Sequence, residues 1–420
     1  MPQMPDQPGT FNSSRAAWVA LVLLSALNLL NYADRYLLAG VQPLVQQAFH
    51  LTDERIGALT FAFFITYMLA APLTGWLGDR YARKPLILAG AFLWSLLTLS
   101  TALVHTYGEL YLRHALLGIG EASFGIYAPA LLSDSWPPEQ RNRILTIFYL
   151  SLPVGAAMGY ILGGTLGQAY GWRAPFYISA APGLLIVVLV WIWMREPERG
   201  ASEASPSLPL TPQQYGAAVL TLTRNPAYWT ATLGMAMMVF AMGGIAVWMP
   251  TFLYRHGNYS LSAASQILGA ITVVDGILGT WLGGWVAQRW LRSNRAALYL
   301  LSAWSVLLAA PFALFIFFGP RAAMVPCLAA AEFFLFLNTG PLNAAIVNAV
   351  SAPIRAAAIA IELFMIHALG DAPSPRIIGW ISDHSSLRLG LSITLATLLV
   401  SGGLLFAGAR FAPPVNATRT

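Results

Sequence analysis

The chain has 420 residues, 57% of them hydrophobic and only 10% charged. Soluble domains carry roughly 25% charged residues, so this composition excludes an ordinary soluble globular protein. A single cysteine, Cys327, excludes an internal disulfide, and in so apolar a chain the net charge of +6 reflects arginines held at one membrane face rather than a nucleic-acid partner.

A membrane-crossing helix needs about 20 apolar residues. On that length the first half holds six helices, near residues 16–44, 56–77, 85–105, 108–135, 143–169 and 174–194. The second half holds six more, near 226–254, 261–288, 296–318, 321–350, 356–381 and 387–411. The runs are continuous, without period-2 alternation, which excludes a lipid-embedded β-barrel. The expected fold is therefore an all-α membrane protein of twelve transmembrane helices. Residues 1–195 form one six-helix bundle, 196–225 a cytoplasmic linker with a short surface helix near Tyr215, and 226–420 the second bundle.

The first helix contains the stretch NYADRYLLAGV, which places Asn31, Asp34 and Arg35 inside an apolar run. An ionised group at the bilayer centre costs at least ~2.5–3.5 kcal/mol on insertion scales, so the pair marks a functional site by default. The run is long and lacks an A-x-A-like site, so it reads as a retained helix rather than a cleaved signal. After the second helix comes GWLGDRYARKP, with Asp79, Arg80 and Arg83. Asp79 is placed to pair with an arginine or a helix N-terminus of the neighbouring bundle, and Arg83 with a facing carboxylate, as a conformational latch. The rival reading is a basic cytoplasmic loop and nothing more.

The fourth helix carries Arg113 and Glu121. Eight residues span about 12 Å and some 80° of rotation, so both face one side of the helix. Glu121 and Asp34 lie at similar depth, and Asp34, Arg35, Arg113 and Glu121 are expected to meet in a central cavity. A carboxylate that exchanges between a desolvated site and an arginine partner can load and release a proton. Asp34 and Glu121 are thus the expected proton-coupling residues. Two alternatives stay open: a permanent structural ion pair, or an Arg35 that snorkels to the surface while Asp34 alone faces the cavity. The fifth helix repeats glycine at Gly155, Gly159 and Gly163, a spacing for close packing against a neighbouring helix.

Beyond the linker the first half recurs. GWVAQRWLR at Gly284–Arg292 matches GWLGDRYAR at Gly75–Arg83, Glu332 of the tenth helix matches Glu121, and Arg355 matches Arg141. Such parallel halves are the design of the major facilitator superfamily. Asp275, Glu362, His367 and Asp371 are further intramembrane polar groups without an assigned role.

Basic residues crowd one side, in its loops and the two termini, at Arg15, Arg80, Arg83, Lys84, Arg141, Arg143, Arg195, Arg199, Arg224, Arg289, Arg292, Arg295, Arg355, Arg410 and Arg419. The other side holds Arg55, Arg173, Arg255, Arg321 and Arg388. Both termini are therefore expected in the cytoplasm. Lys84 is the sole lysine. That usage fits a GC-rich bacterial genome and an inner-membrane location.

Together NYADRYLLAGV, GDRYARK, LRHALLGIGEASFGIYAPALLSD, LPVGAAMGYILGG, GIAVWMPTFLYR and GDAPSPRIIGWISD resemble the spinster family of that superfamily. The resemblance implies a proton-coupled secondary transporter of amphipathic lipid-like substrates, of lysophospholipid or sphingosine-phosphate type, working by alternating access. It puts Asp34, Arg35, Arg113 and Glu121 on coupling and cavity positions. Independently of the resemblance, Asn31 and Glu332, the latter as the repeat mate of Glu121, complete the expected substrate site. Arg376, after the Ser-Pro pair, departs from the aromatic residue usual in relatives. The alternative is a proton-coupled multidrug antiporter. The chain carries no G-x-x-x-x-G-K-[ST] loop and no histidine spacing of a metalloenzyme, so neither ATP nor enzyme chemistry is expected. No cofactor or metal is expected either. The partners are the lipid-like substrate, protons and membrane lipids, and the protein is expected to act as a monomer.

Overall fold

The computed structural model describes residues 15–197, 216, 219–351 and 354–413. Most of the linker, including Tyr215, lies outside the described residues, as does the side chain of Asp79.

Among the described residues twelve helices are long and apolar enough to cross a membrane. They match the expected spans closely. Polar caps start several of them: Thr106 Oγ1 accepts from Glu109 N (3.2 Å), Asn225 Oδ1 from Tyr228 N (3.1 Å) and Ser260 Oγ from Ala263 N (3.2 Å). Such caps satisfy donors that the first helical turn leaves free.

Three elements differ from expectation. The first helix, Arg15–Phe49, runs on to Phe49 where an end near residue 44 was expected; Pro43 does not stop it, since a single lost backbone bond is tolerated inside a membrane helix. The tenth span is broken into Arg321–Leu337 and Thr339–Asn348. Gly340 and Pro341 sit at the break, and the fully buried Asn338 donates through Nδ2 to Ser305 Oγ at 3.2 Å. The eleventh span runs as Arg355–Ile366, a wider turn over His367–Asp371, and Pro373–His384. Pro373 and Pro375 offer no backbone N–H, so the chain widens just before them.

Each half is built on the same set of neighbours. The first helix packs on the fifth and sixth, the second on the fourth, and the third on the fourth and sixth; the seventh, eighth and ninth repeat these choices in the second half. Between halves the second helix meets the eleventh and the fifth meets the eighth, two contacts that exchange under the same repeat. The glycine face of the fifth helix lies on the first. A Cβ at Gly155, Gly159 or Gly163 would come within 2.4, 2.3 and 2.6 Å of the carbonyl oxygens of Leu29, Ala33 and Leu37. Only a hydrogen fits there, and that contact fixes the height of Asp34 and Arg35.

Candidate functional site

Between the halves lies a cavity of about 240 Å³, walled by Arg35, Tyr36 and Gln42 of the first helix, Phe63 and Phe64 of the second and His114 of the fourth. Tyr160 of the fifth helix, Met242 of the seventh, Thr272 of the eighth, Glu332 and Phe336 of the tenth and Asp371 of the eleventh complete it. Its wall is mainly apolar.

Successive helical residues point about 100° apart, and this separates Asp34 from Arg35. Arg35 faces the cavity. Its Nε and Nη2 both donate to Glu121 Oε2, at 3.0 and 2.6 Å. The rings of Tyr32 and Phe63 lie 4.8 and 5.0 Å from the guanidinium carbon. Asp34 turns the other way, into the core of the first half. Its carboxylate accepts from Thr98 Oγ1 at 3.2 Å and from Ser179 Oγ, so its partners are the third and sixth helices. The expected direct meeting of Asp34 with Arg35 is corrected, and so is the reading that sends Arg35 to the surface and Asp34 alone to the cavity. Asn31 is buried one turn before Arg35 and adjoins the Glu121 carboxylate.

Arg113 also needs correction. Its Nη1 donates to the Ser100 carbonyl at 2.7 Å, which pins the fourth helix to the end of the third, and the neighbouring His114 reaches the cavity instead. One residue along a helix shifts the direction enough to decide this. Glu332 does face the cavity, buried, and its Oε2 accepts from Thr272 Oγ1 at 3.2 Å. Asp371 meets His367 Nδ1 at 2.9 Å, and the His367 ring stacks on Phe64 at 5.0 Å across the two halves.

The residues expected to form a latch sit on the face where the first helix begins. Arg83 Nη1 pairs with Asp134 of the fourth helix, and Glu196 accepts from the Arg83 and Lys84 backbone. Arg83 thus finds its facing carboxylate inside its own half. Arg80 lies over the Trp76 ring at 4.3 Å.

The opposite face, where the first helix ends, holds a polar network that sequence reasoning missed. Arg255 donates to Asp53 Oδ2 (2.8 Å), Asp53 Oδ1 (2.9 Å) and Gln46 Oε1 (2.8 Å). Ser382 Oγ donates to Asp53 Oδ2 at 2.5 Å, and Asp383 accepts the backbone N–H groups of Asp53 and Glu54, each at 2.8 Å. Arg376 pairs with Glu54 at 3.0 Å. The network ties the first and second helices to the seventh and eleventh. A signal was present: GWISD at Gly379–Asp383 repeats the GWLGD of Gly75–Asp79. The pairing with a helix N-terminus expected of Asp79 is made here by Asp383.

The family model of the Major Facilitator Superfamily matches residues 24–375. Protein spinster homolog 1 of Bos taurus is 36% identical over 410 residues, covering 91% of this chain and 77% of that protein. The Homo sapiens protein of the same name is 36% identical over 411 residues with the same coverage. A sphingosine-1-phosphate transporter of Xenopus tropicalis, SPNS2, is 33% identical over 431 residues, covering 96% of this chain and 83% of its own length. A crystal structure of a bacterial homologue of the human lysosomal transporter spinster, inward-facing and unoccupied, superposes with a TM-score of 0.86 at 23% identity, covering 96% of this chain and 98% of that one. The fold and this match define a multi-pass membrane transporter. The chain belongs to the spinster family of the major facilitator superfamily.

Proposed function

We propose that the protein is a proton-coupled transporter of single-chain, phosphate-bearing lipids of the lysophospholipid or sphingosine-phosphate type, working by alternating access in a bacterial inner membrane with both termini in the cytoplasm. The single observation that carries this reading is the Arg35–Glu121 pair in the wall of a mainly apolar cavity. A lipid phosphate competes with Glu121 for Arg35, because both are anions suited to the same guanidinium fork. The displaced Glu121 then takes a proton, since an unpaired buried carboxylate is held neutral. Release of the lipid restores the pair and returns the proton.

Asp34 enters through helix position. It shares a turn with Arg35 and is held by hydroxyls on the third and sixth helices, so its charge state bears on how the first helix sits against its own half. Asn31 and Glu332 contribute to the polar part of the substrate site, while Tyr36, Phe63, Met242 and Phe336 receive the chain. Arg113 is read as a structural clip. The sealed face is the one held by Asp53, Arg255 and Asp383, which on the positive-inside reading is the outer one, so the cavity opens to the cytoplasm in this state. Asp79, Arg80 and Arg83 act as the latch of the opposite state.

The multidrug antiporter reading draws on one feature: no described cation pairs with Glu332, which would suit a cationic drug. Reconstituted vesicles under an imposed pH gradient separate the two. Gradient-driven uptake of a labelled lysophospholipid, lost in Arg35→Ala, is the expected result. Transport of lipophilic cations without lysophospholipid would overturn the lipid reading.

A further inference from the structure

Gln42 lies in the wall of the cavity with no accessible surface, and neither its Oε1 nor its Nε2 has a hydrogen-bond partner among the described residues. It is seven residues beyond Arg35. That is two helical turns, about 10.5 Å, with only some 20° of rotation, so both side chains belong to the cavity face. Gln42 marks the sealed end. One turn farther, Gln46 joins the Asp53–Arg255 network that closes that face. The cavity therefore offers polar groups at two heights along one helix, the charged Arg35 and the uncharged Gln42.

A buried amide left without partners is unfavourable, and a ligand group that satisfies it gains what a water-exposed amide would not give. The chemistry of that group follows from the amide. It donates and accepts, and carries no charge. A charged group placed there would be desolvated, and the neutral amide offers it no counter-charge. The complement is a neutral group that also donates and accepts, and in a phosphate-bearing lipid that group is a hydroxyl.

We propose that Gln42 is a specificity-determining residue that reads a free hydroxyl on the lipid while Arg35 holds its phosphate. This inference rests on the lysolipid reading above. It places the polar end of the lipid towards the sealed face and the acyl chain towards Phe64 and Phe336. It also gives a reason for single-chain lipids to be selected. A lysophospholipid keeps the backbone hydroxyl that a diacyl phospholipid has esterified.

The test compares three lipids in vesicles: 1-acyl-lysophosphatidylethanolamine, its 2-deoxy analogue, and 2-deoxy-lysophosphatidylglycerol, whose hydroxyls lie only in the headgroup. Native protein, Gln42→Leu and Gln42→Met are compared. Native protein is expected to prefer the free backbone hydroxyl over the deoxy analogue by about tenfold in kcat/KM, the value of one hydrogen bond to a buried partner. Both variants are expected to carry the two ethanolamine lipids equally, at the native rate for the deoxy lipid. Restored preference with the glycerol headgroup would assign the hydroxyl to the headgroup; continued low uptake assigns it to the backbone. Either supports a hydroxyl reader. Equal native rates for all three lipids, or an undiminished preference in the variants, would overturn the role of Gln42 and leave the lysolipid reading standing. Variants inactive towards the deoxy ethanolamine lipid, which has no hydroxyl to meet the amide, would also overturn it by making Gln42 structural. Native protein that carries none of the three would overturn the lysolipid reading and this inference with it.

Discussion

At the scale of single residues, the arrangement turns on the 100° between Asp34 and Arg35. Arg35 and Glu121 are a buried ion pair, their side chains 18% and 0% exposed. Breaking such a pair from one side leaves an unbalanced charge and costs about 3–5 kcal/mol, whereas replacing both members by apolar groups is close to neutral. Arg35→Met is therefore expected to lower thermal stability sharply, and Arg35→Met with Glu121→Leu to regain most of it while abolishing uptake. Melting of the purified variants in detergent checks this; a double variant as unstable as the single one would mean that the pair is not the source of the loss. The sequence made Asp34, Arg35 and Glu121 visible as charges in apolar runs. Partner choice was not visible, because Asp34 is satisfied by Thr98 and Ser179, hydroxyls that no charge pattern singles out. Gln42 was hidden for the same reason, being neutral in a run where only charges stand out.

At the scale of helices, the glycine face of the fifth helix sets the height of the first. The Cβ of an alanine at position 159 would stand 2.3 Å from the Ala33 carbonyl oxygen, a backbone atom that cannot step aside. Gly159→Ala is expected to destabilise by about 1–3 kcal/mol, the usual cost of overpacking. Gly284→Ala, with nothing within 4 Å of the added carbon, is the control and is expected to be neutral or to stabilise. Thermal melts of both test the pair; equal behaviour would remove the close approach from the account. Helix number and span ends were legible because apolar length and loop arginines determine them. The break at Asn338 and the widened turn at His367–Asp371 were not, although Pro341, Pro373 and Pro375 stand beside them. Proline is tolerated inside membrane helices, so it does not by itself say where one opens.

At the scale of the whole molecule, two faces hold related devices. Asp383 caps the start of the second helix on the sealed face. Asp79 stands in the matching GWxxD stretch near the end of the second helix, on the other face. Asp383→Ala is expected to weaken the sealed face and Asp79→Ala the opposite closed state, shifting the equilibrium in contrary directions. Thr60 of the second helix lines the cavity. With Cys327→Ser as background, labelling of Thr60→Cys by an impermeant thiol reagent from the outside reads the first shift, and a rise of about fivefold or more is expected for Asp383→Ala, within the usual range of coupling energies. Asp79→Ala is expected to lower that labelling. Changes of the same sign in both variants would contradict the reciprocal arrangement. The internal repeat made the two-half plan legible, but the Asp53–Arg255 network joins residues far apart in sequence and only the folded chain assembles it.

The most direct test of the account is proton movement on substrate addition. Vesicles holding native protein and a trapped pH-sensitive dye, at equal pH on both sides, receive lysophospholipid. Lipid-dependent proton movement with native protein, absent with Glu121→Gln and altered in its pH dependence with Asp34→Asn, is the predicted result. Lipid transport without proton movement, or proton movement unchanged in Glu121→Gln, would contradict the exchange of lipid phosphate and Glu121 at Arg35.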